Sequence, residues 1–317
     1  MDAVPQIFVE SVILCSDRKS ILRNRQMSSR WGKISSATIK KIHTLQAFVD
    51  MTTEKLYAFA HPTLLESDDD TIRWQLDSVP LDSVDLKFIT KFRIEAYWIV
   101  EDRSSPSTDI WKEISLSKLK RLCEFIKPTT EGIPPVYDIG YCNKLEIRDA
   151  SIHKKLLSMR LPVDTVDLWI ENVEFLPAVE AFLQNSGPLY SITIWCGNFT
   201  TSVDALIDKF VPMDGSIFSL HRNTRFTKEQ LERLVLKCEL SNKKVTLVVC
   251  PEGSTESSEV TDFFDFDFDK YYVKEDVEEG EFIATREGAE LELRVESLFG
   301  GKFRWRWDAP GQKPLCY

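Results

Sequence analysis

"TVDLWIENVEFLPAVEAFLQNSGPLYSITIWC", residues 165–196, is the stretch whose reading decides the architecture of this chain. Its two ends, TVDLWI and SITIWC, alternate apolar and polar residues, with inward pairs that start at Val166 and Ile192. A period of two marks strands with one buried face. Between the two ends, Phe175, Val179, Phe182 and Leu183 recur at the spacing of a helical stripe. The stretch therefore reads as strand, helix, strand.

The unit recurs. Strand-like KLEIRD, SIFSLH and KVTLVVC extend the series, and the five inward pairs start at Leu145, Val166, Ile192, Phe218 and Val245, spaced by 21, 26, 26 and 27 residues. Two more helical stripes lie between these strands: Val203, Leu206, Ile207 and Phe210, then Leu231, Leu234, Val235 and Cys238. Thr227 with Gln230 has the capping-box pattern, Phe226 with Leu231 the spacing of a hydrophobic staple, and Thr201 with Asp204 a second box-like start. A strand–helix unit repeated without long insertions builds a right-handed coil with a parallel sheet. That architecture resembles leucine-rich repeats of the longer strand–helix type, although the asparagine ladder and full leucine consensus are missing. A doubly wound α/β domain with units of similar length is the alternative.

Outside the repeats the pattern changes. Residues 1–42 read as helical, with Phe8, Val9, Val12 and Ile13 on one stripe, Pro5 in a first turn, and Ile21 and Leu22 opening a second short helix. Met27 and Trp31 stand four apart, as if on one face. From about 44 to 101 the period becomes two, in TIRWQL and in FRIEAYWIV, with the loop Glu66–Asp70 between them. A helix carrying Leu119, Leu122, Cys123 and Ile126 follows and stops at Pro128. After the polar CPEGSTESSE comes an acidic run in which Phe264, Phe266 and Phe268 alternate with aspartates, readable as a charged edge strand or a partner-binding peptide. EFIATREGAELELRVES and GKFRWRW then alternate around a Glu-Gly and a Gly-Gly turn, as an antiparallel meander with Phe303, Trp305 and Trp307 on one face. The chain is thus a mixed α+β and α/β protein in four segments. These are a helical module (1–42), a strand-rich segment with one helix (43–140), strand–helix repeats (141–252), and an acidic, aromatic segment with terminal strands (260–317).

Composition narrows the function. A chain of 317 residues supports a sizeable core, and its 43% apolar and 28% charged residues are ordinary for a globular protein. No apolar run approaches the roughly eighteen residues of a membrane span, and the N-terminus lacks the form of a signal peptide. Seven cysteines at irregular spacing give no disulfide framework and no metal pair, which suits a reducing compartment. A net charge of −10 argues against nucleic acid as a partner. Residues 1–50 nevertheless carry eight Lys/Arg against four Asp/Glu, a bias suited to an acidic protein partner.

The sharpest motif is VPQIFVESVILCSDRKSILRNRQMSSRWGKIS, Val4–Ser35. It resembles the F-box, the helical module that plugs substrate adaptors into cullin–RING ubiquitin ligases. Val4 and Pro5 meet the family's opening Leu-Pro, Val12 and Ile13 its first-helix pair, and Ile21 and Leu22 its second-helix pair. Met27, Arg30 and Trp31 meet its closing pattern of an apolar residue, a base and a tryptophan. Ile7 replaces a customary acid, and Ser16-Asp17 a customary Leu-Pro. The order of segments is similar to the nematode F-box proteins with F-box-associated C-terminal regions. The resemblance implies a Skp-type adaptor and cullin ligase core as partners, docked through Val4, Pro5, Phe8, Val12, Ile13, Ile21, Leu22, Met27 and Trp31. It also implies a target protein bound downstream and a cytoplasmic or nuclear location. Burying about five aliphatic side chains at about 1.5–3 kcal/mol each would supply a gross gain on the order of 10 kcal/mol. A helical cap that merely shields the end of the fold is the plainer reading of the same segment.

No catalytic residue, metal site or cofactor is expected. The four histidines, His43, His61, His153 and His221, form no HExxH and no metal spacing. GxSxG and GxGxxG are absent, and GKISS at Gly32 lacks the upstream glycine of a phosphate loop. His221, followed by Arg222 and Asn223 at a strand end, is the best isolated polar cluster. Trp169 and Trp195 are candidate target contacts if their side of the strands is exposed, and a second buried face if it is not.

Overall fold

Val9 and Ile13, one turn apart, begin a small core at the N-terminus. They lie on α1 (Gln6–Leu14) and pack with Ile21 of α2 (Arg18–Arg25), Ile34 and Ile39 of α3 (Arg30–Ile39), and Ile42. Gly32 sets the approach of α3 to the preceding turn, because a Cβ there would lie 1.9 Å from the Met27 carbonyl oxygen. The computed structural model describes residues 4–16, 18–63, 78–97, 110–126, 142–196, 203–222, 224–258, 272, 274–278 and 281–311. It divides into two units, Met1–Asp164 and Thr165–Tyr317.

In the first unit, β1 (His43–Asp50) lies between an antiparallel β2 (Leu56–Pro62) and a parallel β3 (Ile89–Tyr97). The short β4 (Lys112–Glu113) extends β2, and β5 (Lys144–Ile147) runs parallel to β3. Seven of the eight β1 residues are buried, so this central strand is covered on both faces and does not alternate. Phe92 and Ile94 of β3 are fully buried as the alternation requires, whereas Trp98, Val100, TIRWQL and Glu66–Asp70 lie outside the described residues. The expected helix is α4 (Leu116–Glu124), with Leu119, Leu122 and Cys123 buried and the Ser115 hydroxyl accepting from Lys118 N.

A further helix, α5 (Ser151–Ser158), follows β5 where the sequence reading had none. Ala150 offers it no side-chain cap, and the Glu54 carboxylate takes the Ser151 amide at 2.9 Å instead. The Ser151 hydroxyl donates to the same carboxylate, and these two hydrogen bonds, the hydroxyl's first, hold the Glu54 carboxyl below its ordinary value. Asn143, wholly buried, bonds Phe92 N, Pro162 O and the Asp164 carboxylate, tying three separate segments of the unit together.

The second unit carries β6 (Thr165–Ile170), β7 (Ser191–Cys196), β8 (Ser216–Arg222) and β9 (Val245–Val249), parallel and in sequential order. Val166, Ile192, Phe218 and Leu247 form one buried row. Leu247 takes the place expected of Val245, which pairs with Ser216; the shift is two residues, so the inward face is unchanged. Three helices cross between these strands: α6 (Leu176–Asn185), α7 (Val203–Lys209) and α8 (Lys228–Ser241). Crossovers of one hand between successive neighbours put all the helices on the same face. Gln230 Nε2 to Asp204 Oδ2 at 2.9 Å and Lys237 Nζ to Ile207 O at 2.7 Å hold α8 beside α7. The opposite face keeps Asp167, Trp169, Thr193, Trp195, Thr246 and Val248 half-buried.

The expected antiparallel strands are present: β10 (Lys274–Glu278), β11 (Glu281–Thr285), β12 (Glu292–Leu298) and β13 (Lys302–Asp308). They continue the parallel sheet, because β13 pairs with β9. Phe303, Trp305 and Trp307 are all within 2% of complete burial. The buried Glu239 of α8 holds this extension: its Oε2 accepts from Tyr272 Oη at 2.7 Å and Trp307 Nε1 at 2.6 Å, and its Oε1 meets Arg286 Nε at 2.9 Å. The α8 capping box between Thr227 and Gln230 forms as its spacing requires. Thr201 and the Phe264–Phe268 run fall outside the described residues.

Candidate functional site

The three N-terminal helices share a small core of their own. Ile13 and Ile21 have no exposed surface, so they belong to the module's own core, and the expectation that they dock a partner is corrected. Trp31 is half-buried against the same core, as is Val4. Met27 lies in the turn before α3 and not on a helix with Trp31, so the two do not share a face. A stripe of adjacent pairs covers a broad arc of a helix, and here Val9 and Ile13 take the inner half while Phe8 and Val12 take the outer half.

Part of what remains outside is apolar. Ile7 is 74% exposed, Phe8 54% and Met27 48%, with Pro5 exposed and Val12 and Leu22 half-buried. Ile7, noted in the sequence only as a departure from an acid, is the most exposed of the three. Beside Met27 a shallow trough of about 470 Å³ runs along α3 over Gly32 and Ser36, bordered by Arg25, Lys33 and Lys40. Arg25, Lys33 and Lys40 give the trough a basic lining.

A second cluster occupies the open face of the Thr165–Tyr317 unit. Trp169, Trp195 and His221 are opposite one another on three parallel strands, with ring centroids 4.4 and 3.5 Å apart and planes within 12° and 8°. Trp169 Nε1 donates to Asp167 Oδ1 at 2.7 Å. Lys302 Nζ lies 3.4 Å from His221 Nδ1 and 5.4 Å from the Trp195 ring centroid. Burial first, and Lys302 second, pull His221 down to about 4, so the ring is neutral near pH 7.

The Ser219 Oγ lies 2.6 Å from His221 Nε2, which invites comparison with a nucleophile and its base. The wiring runs the wrong way. An ammonium has only protons to give, so Lys302 donates to Nδ1, the neutral ring keeps its proton on Nε2, and Nε2 donates to Ser219. A histidine so placed does not take a proton from that serine, and Ser219 is itself 3% exposed. The side chain of Arg222 and all of Asn223 are outside the described residues.

His153 and His43 each lie against a backbone carbonyl. His153 is fully buried on α5, with Nδ1 2.6 Å from Arg148 O, and burial lowers it to about 4. His43 Nδ1 is 2.6 Å from Lys41 O. The six described cysteines are free. Among the described residues no group of three or more His, Cys, Asp or Glu is arranged to hold a metal, and no helix is long and apolar enough to cross a membrane. No family model matches the sequence, and no curated protein is similar to it.

Proposed function

We propose that this chain is a non-catalytic substrate-recognition adaptor of a cullin–RING ubiquitin ligase, working in the cytoplasm or nucleus. Its N-terminal helices dock a Skp-type adaptor, and its leucine-rich-repeat-like unit with the terminal strands carries a target protein. The work done is proximity: held beside the charged ubiquitin carrier, the target's lysines reach a high effective concentration.

One observation carries the reading. A module that has already filled its own core still exposes Ile7 and Phe8 on the first turn of α1, beside the Val4-Pro5 start that resembles the F-box. Exposed large apolar side chains on a small module are costly unless a partner covers them. The docking set becomes Pro5, Ile7, Phe8, Val12, Leu22 and Met27, with the basic trough at its side. The one-sided sheet supports the second half, since it leaves a broad face of Trp169, Trp195 and charged residues for a target.

The rival reading, a repeat-type interaction protein whose helices are only a cap, draws support from the closed cluster of Val9, Ile13, Ile21, Ile34, Ile39 and Ile42. Capture from the native cell type, read by mass spectrometry, separates the two. Recovery of a Skp-type adaptor and a cullin, lost in the Phe8→Asp variant, supports the ligase reading. Recovery of neither defeats it.

A further inference from the structure

We propose that the Trp169–Trp195–His221 row, with Lys302 at its end, is a recognition site for a short acidic peptide segment that carries an aromatic side chain. This rests on the reading that the Thr165–Tyr317 unit holds the target, and it names the chemistry of what is held.

The row chooses its ligand by what it leaves uncovered. Stacking at 4.4 and 3.5 Å turns the ring faces toward one another and leaves ring edges as the contact surface. Aromatic edges are electropositive, so they favour carboxylate and carbonyl oxygens, or the face of another aromatic ring.

Lys302 adds a full charge. Its neighbours on the terminal strands are matched: Arg304 with Glu296 at 2.6 Å, Arg306 with Glu281 at 2.7 Å, and Arg294 with Glu281 at 3.3 Å and with Glu292. Lys302 meets only the neutral His221 and the Trp195 ring, and among the described residues no carboxylate answers it. Protonating His221 would set two cations 3.4 Å apart, so the ring stays neutral.

The aromatic half of the ligand has a counterpart in Phe299. It is 88% exposed on the β12–β13 turn, three residues before Lys302. That turn is anchored: Gly301 O lies 3.2 Å from Cys250 Sγ, and Arg225 donates to the same sulfur at 2.7 Å. A single-stranded nucleic acid fits less well, because base stacking needs open ring faces and a track of cations.

The test is fluorescence anisotropy on the full chain with a labelled, end-capped Asp-Phe-Asp-Phe-Asp peptide. The controls are Lys-Phe-Lys-Phe-Lys, Asp-Ser-Asp-Ser-Asp and a labelled oligo-dT. Saturable binding of the first alone is expected, weakened at least tenfold by Lys302→Glu and at least threefold by Phe299→Ser. Both positions are on the surface, and circular dichroism verifies that each variant is folded. Lack of saturation at millimolar protein, equal binding of the lysine peptide or of oligo-dT, or unchanged affinity in both variants overturns the proposal. The ligase adaptor takes no part in this assay, so the site and the docking of α1 can each fail alone.

Discussion

Phe8→Ala and Ile21→Ala form a pair whose contrast tests how the N-terminal helices divide their apolar residues. Phe8 is 54% exposed and Ile21 is fully buried. A phenylalanine side chain buries about 150–250 Å² in all, so docking would remove on the order of 100 Å² from water at Phe8. At about 25 cal/mol per Å² that is ~2.5 kcal/mol, of which the alanine keeps a fraction. Phe8→Ala should then weaken capture of a purified Skp-type adaptor by about 2 kcal/mol, or about 30-fold in Kd. Its unfolding free energy should change by no more than about 0.5 kcal/mol, as for a surface substitution. Ile21→Ala should do the reverse and destabilise the module by about 2–5 kcal/mol through the cavity it opens. Isothermal titration gives the first number and urea unfolding the second. Adaptor affinity within twofold of the parent for Phe8→Ala refutes the docking surface. A stability loss for Phe8→Ala equal to that of Ile21→Ala refutes the division itself.

Three other outcomes follow from the geometry. Gly32→Ala places a methyl against the Met27 carbonyl and should cost about 1–3 kcal/mol, seen as a lower urea midpoint; an unchanged midpoint would show that the backbone gives way freely. Glu239→Ala strips the acceptor from Tyr272 and Trp307 and the counter-charge from Arg286 and should cost about 3–5 kcal/mol, while Glu239→Gln costs less because its amide oxygen still accepts. His153, depressed to about 4 in the folded chain against 6.5 in a free one, is neutral in both states near pH 7. As pH falls from 6.5 toward 4 the unfolded chain takes up a proton that the folded chain refuses, so stability drops through that window by up to about 3 kcal/mol. His153→Gln should flatten that part of the pH–stability curve, and an imidazole that titrates near 6.5 by NMR would contradict its burial.

Local signals were legible where the physics is local. The Thr227–Gln230 box spans three residues and forms as read, and the inward Phe303, Trp305 and Trp307 follow from period two alone. The α5 stripe of Ile152, His153, Leu156 and Leu157 was equally present but short, and its cap comes from Glu54, 97 positions away. The candidate docking residues were legible as apolar but not as inward or outward. Phe8, Val9, Val12 and Ile13 share one broad stripe, and only the packing of α2 and α3 sends Val9 and Ile13 inside.

By itself the amino-acid order determined the alternation of strands and helices, the parallel run of the repeats and the antiparallel finish. Periodicity and caps need only neighbours a few residues apart to express them. Tertiary structure alone decided that the terminal strands join the sheet at β9 and that Lys302 meets His221 across 81 residues. These outcomes depend on which surfaces meet once the chain has closed on itself. Burial and charge pairing are properties of those meetings, and no single stretch of sequence contains them.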